Sequence, residues 1–314
     1  MNNKIIVTGG AGFIGSHTVD KLLSSGNEVT VIDNLSSGRM EFIEHHLKEP
    51  NFRFINIDLL ELEELKKAIC GSDIIYHLVA NPDVRLGAED TRIHLEQNII
   101  TTYNLLEAMR VNKQQNIVFT STSTVYGEAA VIPTPENYGP LIPISLYGAS
   151  KLACEALITS YCHTFGMKSW IFRFANIVGA RSTHGIIVDF INKLRNNPNS
   201  LEILGDGRQL KSYLHVSDCL DAIQFAVGHS DEMVNIFNIG SDDTINSTEI
   251  GKIVVSEMGL KDVEFTYTGG KRGWKGDVPR MQLSIDKLKK IGWEPVHNSK
   301  SSVVAAVRSA LGNQ

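Results

Sequence analysis

The chain opens with an apolar run, Lys4–Val7, which passes through glycines at 9, 12 and 15 into a segment with apolar residues at helical spacing: Phe13, Val19, Leu22 and Leu23. Strand, glycine loop and helix follow one another with no residues to spare. Through the first half, strand-like runs at 28–33, 52–58, 73–80, 116–122 and 168–175 alternate with helical ones near 60–69, 93–111 and 145–165. Several of these runs are apolar at successive positions, as strands buried on both faces of a parallel sheet are. Alternating β and α units predict an α/β fold built on an open, doubly wound parallel sheet. After Asn176 the texture changes, and glycines and prolines break the chain into shorter pieces. We therefore expect residues 1–175, rejoined by 213–240, to form the doubly wound domain. Residues 176–212 and 241–314 should form a smaller C-terminal lobe.

The loop between the first strand and helix reads Gly9-x-x-Gly12-x-x-Gly15. Glycines there permit a tight turn, close backbone approach to a pyrophosphate and close helix–strand packing. The helix start adds unpaired N–H groups and a positive dipole end for phosphates. The second strand ends in Asp33, placed to accept hydrogen bonds from an adenine-side ribose. A carboxylate there favours NAD over NADP, because it repels a 2′-phosphate; Arg39, close by along the loop, keeps the alternative open.

Tyr147 and Lys151 are one helical turn apart, and residues at i and i+4 share a helix face. A free phenol has a pKa of about 10, too high for an efficient base near neutral pH. A neighbouring ammonium lowers it, which is the tuning that acid–base catalysis requires. Thr122 ends the fifth strand, where active-site groups of open α/β sheets gather. Taken alone, the segment 120–124 reads better as a β-rich strand end.

Bulk properties narrow the field. With 314 residues, 42% hydrophobic positions and a formal charge of −5, the chain has no electrostatic footprint for nucleic acid or an anionic membrane. No run reaches the roughly 18 apolar residues of a membrane span. The start leaves no room for a signal peptide. Cys70, Cys154, Cys162 and Cys219 lack metal-ligand or CxxC spacing, so no metal site and four reduced thiols in a cytoplasmic protein are expected.

Taken together and in order, 8-TGGAGFIGS-16, 31-VIDNLSSG-38, Asp58, 121-STSTVYG-127, 147-YGASK-151, 176-NIVGAR-181 and 205-GDGRQLKSYLHVSD-218 resemble the extended short-chain dehydrogenase/reductase family with its Rossmann fold. The match covers essentially the whole chain. It lies within the NAD-dependent nucleotide-sugar epimerases and is most similar to the UDP-glucose 4-epimerases. The resemblance implies that Gly9, Gly12, Phe13, Ile14 and Gly15 hold the NAD pyrophosphate region and that Asp33, Asn34, Ser37 and Gly38 hold the adenosine ribose. It places Asp58 and Leu59 at the adenine, and Leu78, Ala80 and Asn98 along the cofactor. Lys151 would bind the nicotinamide ribose and, with the positively charged nicotinamide, depress the pKa of Tyr147. Thr122, four residues before Tyr126, aligns with the family's catalytic hydroxyl. Asn176, Lys211, Arg272 and Met281 would contact a UDP-sugar. The family's dimers pair two helices with their copies, which here carry Ile93, Ile100, Leu152, Ala156 and Tyr161, so a homodimer is implied.

Departures from the family pattern mark the substrate side. Ser123 and Thr124 stand where 4,6-dehydratases carry an Asp-Glu pair, and Thr124 stands where decarboxylases carry Glu. Simple 4-epimerisation of a UDP-hexose is the reading left. UDP-glucuronate 4-epimerisation, another nucleotide-sugar reduction or decarboxylation of the same family, and a non-catalytic nucleotide sensor are the competitors. Lys211 replaces a diphosphate-binding Arg and lacks its bidentate fork. Arg272 precedes Asp277 by five residues, a wider spacing than usual. A nicotinamide-side Lys falls on Pro82, and a uracil-facing aromatic on Leu204. Met281 falls where the family gates the sugar's C2 substituent.

Overall fold

The computed structural model describes residues 3–312. Strands β1 (Lys4–Thr8), β2 (Glu28–Ile32), β3 (Phe52–Ile55), β4 (Ile74–His77), β5 (Asn116–Thr122) and β6 (Lys168–Phe174) alternate with helices α1 (Phe13–Ser24), α2 (Leu62–Ala68), α3 (Thr101–Asn112) and α4 (Leu146–Phe165). Then come β7 (Asn176–Val178), α5 (Ile186–Asn196), β8 (Ser200–Ile203), β9 (Leu210–Lys211), β10 (Tyr213–His215), α6 (Val216–His229) and β11 (Val234–Ile239). The chain continues with β12 (Ile245–Asn246), α7 (Ser247–Glu257), β13 (Glu264–Tyr267), β14 (Arg280–Met281), α8 (Asp286–Lys290) and α9 (Ser299–Leu311).

The main sheet has seven strands in the order β11-β6-β5-β4-β1-β2-β3. Its neighbours from β3 through β5 pair in parallel. Strand order reverses between β1 and β4, which makes the C-terminal ends of these two strands the switch point where open α/β sheets bind ligands. Side chains alternate across β1. Ile6 joins a core with Leu65, Leu105, Met109, Ile117, Phe119, Ile158 and Ile171, while Ile5 and Val7 are buried on the other face. A sheet buried on both faces is what the unbroken apolar runs require.

The chain divides into two compact units. The first runs through Val125 and takes in Leu146–Arg173 and His229–Ile236; the second comprises Tyr126–Ser145, Phe174–Gly228 and the chain from Phe237. Only 229–236 of the expected 213–240 segment belongs to the first unit. The reason is that β10 pairs with β7 in a separate two-stranded sheet. Residues 126–145 join the second unit, where the Tyr126 hydroxyl donates to Asn238 Oδ1 at 2.7 Å. That unit has its own core, in which Phe190, Ile191 and Leu194 of α5 meet Ile250 and Val254 of α7 and Val303 and Val307 of α9.

The expected helix over 93–111 begins as a π-helical turn, Leu95–Ile100, before α3. Wider turns leave carbonyls poorly served. Here the Thr101 and Thr102 hydroxyls donate to the carbonyls of Gln97 and Asn98, at 2.9 and 2.7 Å. Such turns often mark functional segments, and this one contains the buried Asn98.

Candidate active site

The glycines of the first loop are demanded by the chain itself. Gly9 has φ +72°, and a Cβ at Gly15 would lie 2.0 Å from the Gly9 carbonyl oxygen. Gly12 caps α1 and offers no side-chain acceptor, so the first-turn N–H groups of Phe13, Ile14 and Gly15 remain for an anion. Asp33 is buried, and its carboxylate accepts from the backbone N–H of Leu35 at 2.8 Å and Ala11 at 3.0 Å. Burial pushes its pKa up and these two bonds oppose that. The loop folds back so closely that a Cβ at Gly38 would sit 2.9 Å from both carboxylate oxygens. Arg39 turns its guanidinium to Glu41 at 3.2 Å.

The neighbouring residues hold one another. Asn34 donates to Asp58 Oδ2 at 2.8 Å, and the other Asp58 oxygen accepts from Leu60 N–H at 2.9 Å. Leu59 is buried beside them. Leu78 N–H donates to the Thr8 carbonyl at 3.1 Å, extending the β1–β4 pairing beneath the glycine loop. Ala80 follows in the same loop and is half-buried, while Ser37 is exposed. Asn98 is buried with its groups committed: Oδ1 accepts from Asn81 N–H and Nδ2 donates to Ser150 Oγ, both at 2.8 Å. It ties the 81–98 segment to α4. These residues, with the free helix start and the glycine cradle, fit a dinucleotide.

At the end of β5 Thr122 acts on the Tyr147 phenol to lower its pKa, and its hydroxyl accepts from Thr124 N–H and Oγ1, each at 3.2 Å. Lys151 follows one turn along α4, but its ammonium is directed elsewhere. It donates to the Thr120 carbonyl at 2.8 Å and lies 4.6 Å from the Phe119 ring centre. The expected lowering of the Tyr147 pKa joins Lys151 to a positively charged nicotinamide; within the chain itself Lys151 is not turned to the phenol. Burial pushes the phenol up to about 12, with only Thr122 opposing it. The same burial lowers Lys151 to about 8. Desolvation outweighs proximity because an ammonium bonded to a carbonyl and held against a ring has less effect on its neighbour.

Buried polar groups missed at the sequence level lock this arrangement. Arg173 of β6 makes a forked pair with Glu155 of α4, with Nε to Oε1 at 3.0 Å and Nη2 to Oε2 at 2.7 Å. Ser121 Oγ reaches the same carboxylate at 2.5 Å. These bonds fix α4 to the sheet one residue before Thr122. His94 sets its ring edge against Tyr147, with centres 5.6 Å apart. Glu155 and Arg173 could have been suspected as charges inside apolar runs; nothing in the periodicity marks His94.

In the second unit, Lys211, Arg272 and Met281 come together. β9 pairs with β14, setting Lys211 against Met281. Lys211 Nζ lies 2.5 Å from Asp277 Oδ1 and 4.8 Å from the Trp274 ring centre. Arg272 donates through Nη1 to the Asp277 carbonyl and through Nη2 to Glu128 at 2.8 Å. Gly273 N–H takes the remaining Asp277 oxygen at 2.9 Å. Asp277, only 2% exposed, is thus the organiser of the cluster, a role the sequence reading did not assign it. Asn176 is linked in sequence to the same region, since its side chain donates to the carbonyl of Ser212, at 3.0 Å. All four cysteines are free thiols, and among the described residues no helix is long and apolar enough to cross a membrane.

The profile of the NAD dependent epimerase/dehydratase family matches residues 5–240. A protein of Methanocaldococcus jannaschii provisionally named as a UDP-glucose 4-epimerase is 34% identical over 316 residues, covering 98% of this chain and 99% of its own. Among solved structures, a UDP-galactose 4-epimerase is 41% identical with a TM-score of 0.88, covering 98% and 99% of the two chains. The UDP-glucuronic acid 4-epimerase of Bacillus cereus, solved with UDP-glucuronic acid and NAD, is 28% identical with a TM-score of 0.89 and the same coverage.

Proposed function

Because the chain belongs to the NAD-dependent epimerase/dehydratase family and is an NAD-dependent enzyme of the epimerase kind, we propose that it interconverts UDP-glucose and UDP-galactose at C4. The Thr122–Tyr147 pair at the end of β5, with Lys151 one turn along α4, carries this reading. When bound, NAD supplies the acceptor and donor for the C4 hydride. The Thr122 hydroxyl orients the sugar's C4 hydroxyl, and Tyr147 takes its proton and later returns it. A phenol near 12 is a poor base at neutral pH, so proton removal requires a cationic group beside it. Lys151 and a positively charged nicotinamide are the candidates.

Gly9, Gly12, Phe13, Ile14 and Gly15 are assigned to the pyrophosphate, and Asp33, Asn34, Ser37 and Gly38 to the adenosine ribose. Asp58 and Leu59 are assigned to the adenine, and Leu78, Ala80 and Asn98 to the remaining cofactor wall. Asn176, Lys211 and Arg272 are assigned to the UDP diphosphate and sugar, with Met281 near C2. We assign α3 and α4, where Ile100 is exposed and Tyr161 donates to Glu107 at 2.6 Å, to a homodimer interface. A monomer mass in light scattering would reject it.

The test is incubation with UDP-glucose, UDP-galactose, their N-acetyl counterparts and UDP-glucuronic acid, with and without added NAD, followed by separation of the epimers. Fastest conversion is expected for the UDP-glucose pair. A second reading, epimerisation of UDP-glucuronic acid, is favoured by the Bacillus cereus match; fastest turnover of that sugar would establish it instead.

A further inference from the structure

A cluster away from the catalytic residues has the donors of a metal site. Asp20 lies on the outer part of α1, and His45 and His46 lie in the short helical turns that follow β2. One ligand atom from each falls within 4.8 Å of the others. His46 Nε2 is 2.7 Å from Asp20 Oδ1, and His45 Nε2 is 3.3 Å from the same oxygen. Donors bonded to one tetrahedral ion at about 2.0–2.2 Å stand roughly 3.3 Å apart. The His45–Asp20 separation is already that, and the His46–Asp20 pair needs to open by about half an ångström.

The surroundings of His46 strengthen the case. Its other nitrogen, Nδ1, meets Glu49 Oε1 at 2.7 Å, and its ring packs 5.6 Å from that of Phe52. Metal-binding histidines characteristically give their second N–H to a carboxylate, which fixes the tautomer and aims the free nitrogen at the ion. The two imidazoles are tilted with centres 4.0 Å apart. A salt-bridged histidine explains His46 alone. It does not explain why His45 turns to the same carboxylate oxygen.

We propose that Asp20, His45 and His46 form a binding site for a divalent transition-metal ion of the zinc class, with Glu49 orienting His46 and solvent completing the shell. Two imidazoles and one carboxylate suit zinc or cobalt, not magnesium or calcium, which prefer oxygen alone. The ion would tie α1 to the segment 40–49. That segment continues from the loop over Asp33, itself joined to the glycine loop by the Arg39 N–H to the Ala11 carbonyl at 2.9 Å. The site is independent of the reaction assigned above. Its ligands come from elements far apart in sequence, which is why no spacing motif announces it.

Tag-free full-length protein, stripped with a chelator, is titrated with Zn2+ by calorimetry and with Co2+ by visible spectroscopy. One ion per chain, the d–d bands of four-coordinate cobalt and a rise in melting temperature with Zn2+ are expected. His45→Gln, at an exposed position, should keep the melting temperature of the metal-free protein and bind at least tenfold more weakly. Glu49→Gln should weaken binding about 10- to 100-fold. Absence of a saturable site in the unsubstituted protein, or unchanged affinity in both variants, would overturn the proposal.

Discussion

Lys151, buried in the first unit, and Lys211, partly buried in the second, are two ammonium groups treated in opposite ways. Lys151 has no carboxylate in direct contact; a carbonyl and an aromatic face receive it, and burial lowers its pKa to about 8. Lys211 is ion-paired with the buried carboxylate of Asp277 and covered by Trp274. An ammonium held by weak partners responds to a charge that arrives beside it. One held by a carboxylate keeps its charge and position, and gives part of its field to that partner. The first arrangement suits a group that takes part in a proton transfer. The second suits a group that must stand ready for an anion without moving.

The sharpest way to break this contrast is at the phenol. Tyr147→Phe should keep the fold and lower turnover by about 10²- to 10⁴-fold, the usual contribution of a positioned acid–base group; steady-state kinetics with the favoured UDP-sugar measures it. More than a tenth of the original rate would remove Tyr147 from its role.

Asp277→Ala tests the other half. Removing one partner of a buried pair costs about 3–5 kcal/mol, because the remaining charge is stranded. Urea unfolding should show a loss of that order, whereas a loss under about 1 kcal/mol would mean that Lys211 is effectively solvated.

His77 sharpens the picture of the first unit's interior. It is wholly buried between the hydroxyls of Thr8, at 2.8 Å, and Thr102, at 3.0 Å, and burial lowers its pKa from 6.5 to about 3. Below pH 6.5 the unfolded chain takes up a proton that the folded one refuses. Stability therefore falls as pH drops from about 6.5 toward 3, by up to about 1.4 kcal/mol per pH unit. His77→Gln should flatten this dependence in unfolding curves measured at pH 7 and pH 5. An unchanged slope would mean that His77 charges freely in the folded protein.

Met281 carries the smallest effect. Its unbranched side chain adapts to neighbours of different size, so the N-acetyl sugars should turn over measurably beside UDP-glucose. Met281→Tyr should suppress the N-acetyl pair more than the hydroxyl pair. An unchanged ratio of the two rates would place the C2 gate elsewhere.

The two units also differ in how legible they were. β1, the glycine loop, α1, β5 and α4 are regular, and their chemistry-bearing residues sit at the ends of apolar runs or one helical turn apart. Periodicity and glycine spacing therefore singled out Gly9, Asp33, Tyr147 and Lys151 as candidates, whereas Thr122 needed the family resemblance. Lys211, Arg272 and Met281 lie on two-residue strands and a loop, where no period exists, and only the family resemblance pointed to them. Asp277 escaped notice because its importance comes from burial among cations, a property of the folded chain. Tyr147 shows the opposite limit. Spacing placed Lys151 on the right face but could not reveal that its ammonium bonds the Thr120 carbonyl or that burial would raise the phenol. The π-helical turn at 95–100 was hidden for a similar reason, since it serves a hydrogen bond from Asn81 to Asn98 across 17 residues.

The most direct test of the proposed reaction supplies UDP-glucose and UDP-galactose separately to the NAD-loaded protein and follows both sugars and the nicotinamide absorbance to completion. The expected result is convergence on one epimer mixture from either side, with no nicotinamide reduction in proportion to the sugar converted. Loss of sugar matched by accumulating NADH, or persistence of each sugar unchanged, would contradict 4-epimerisation.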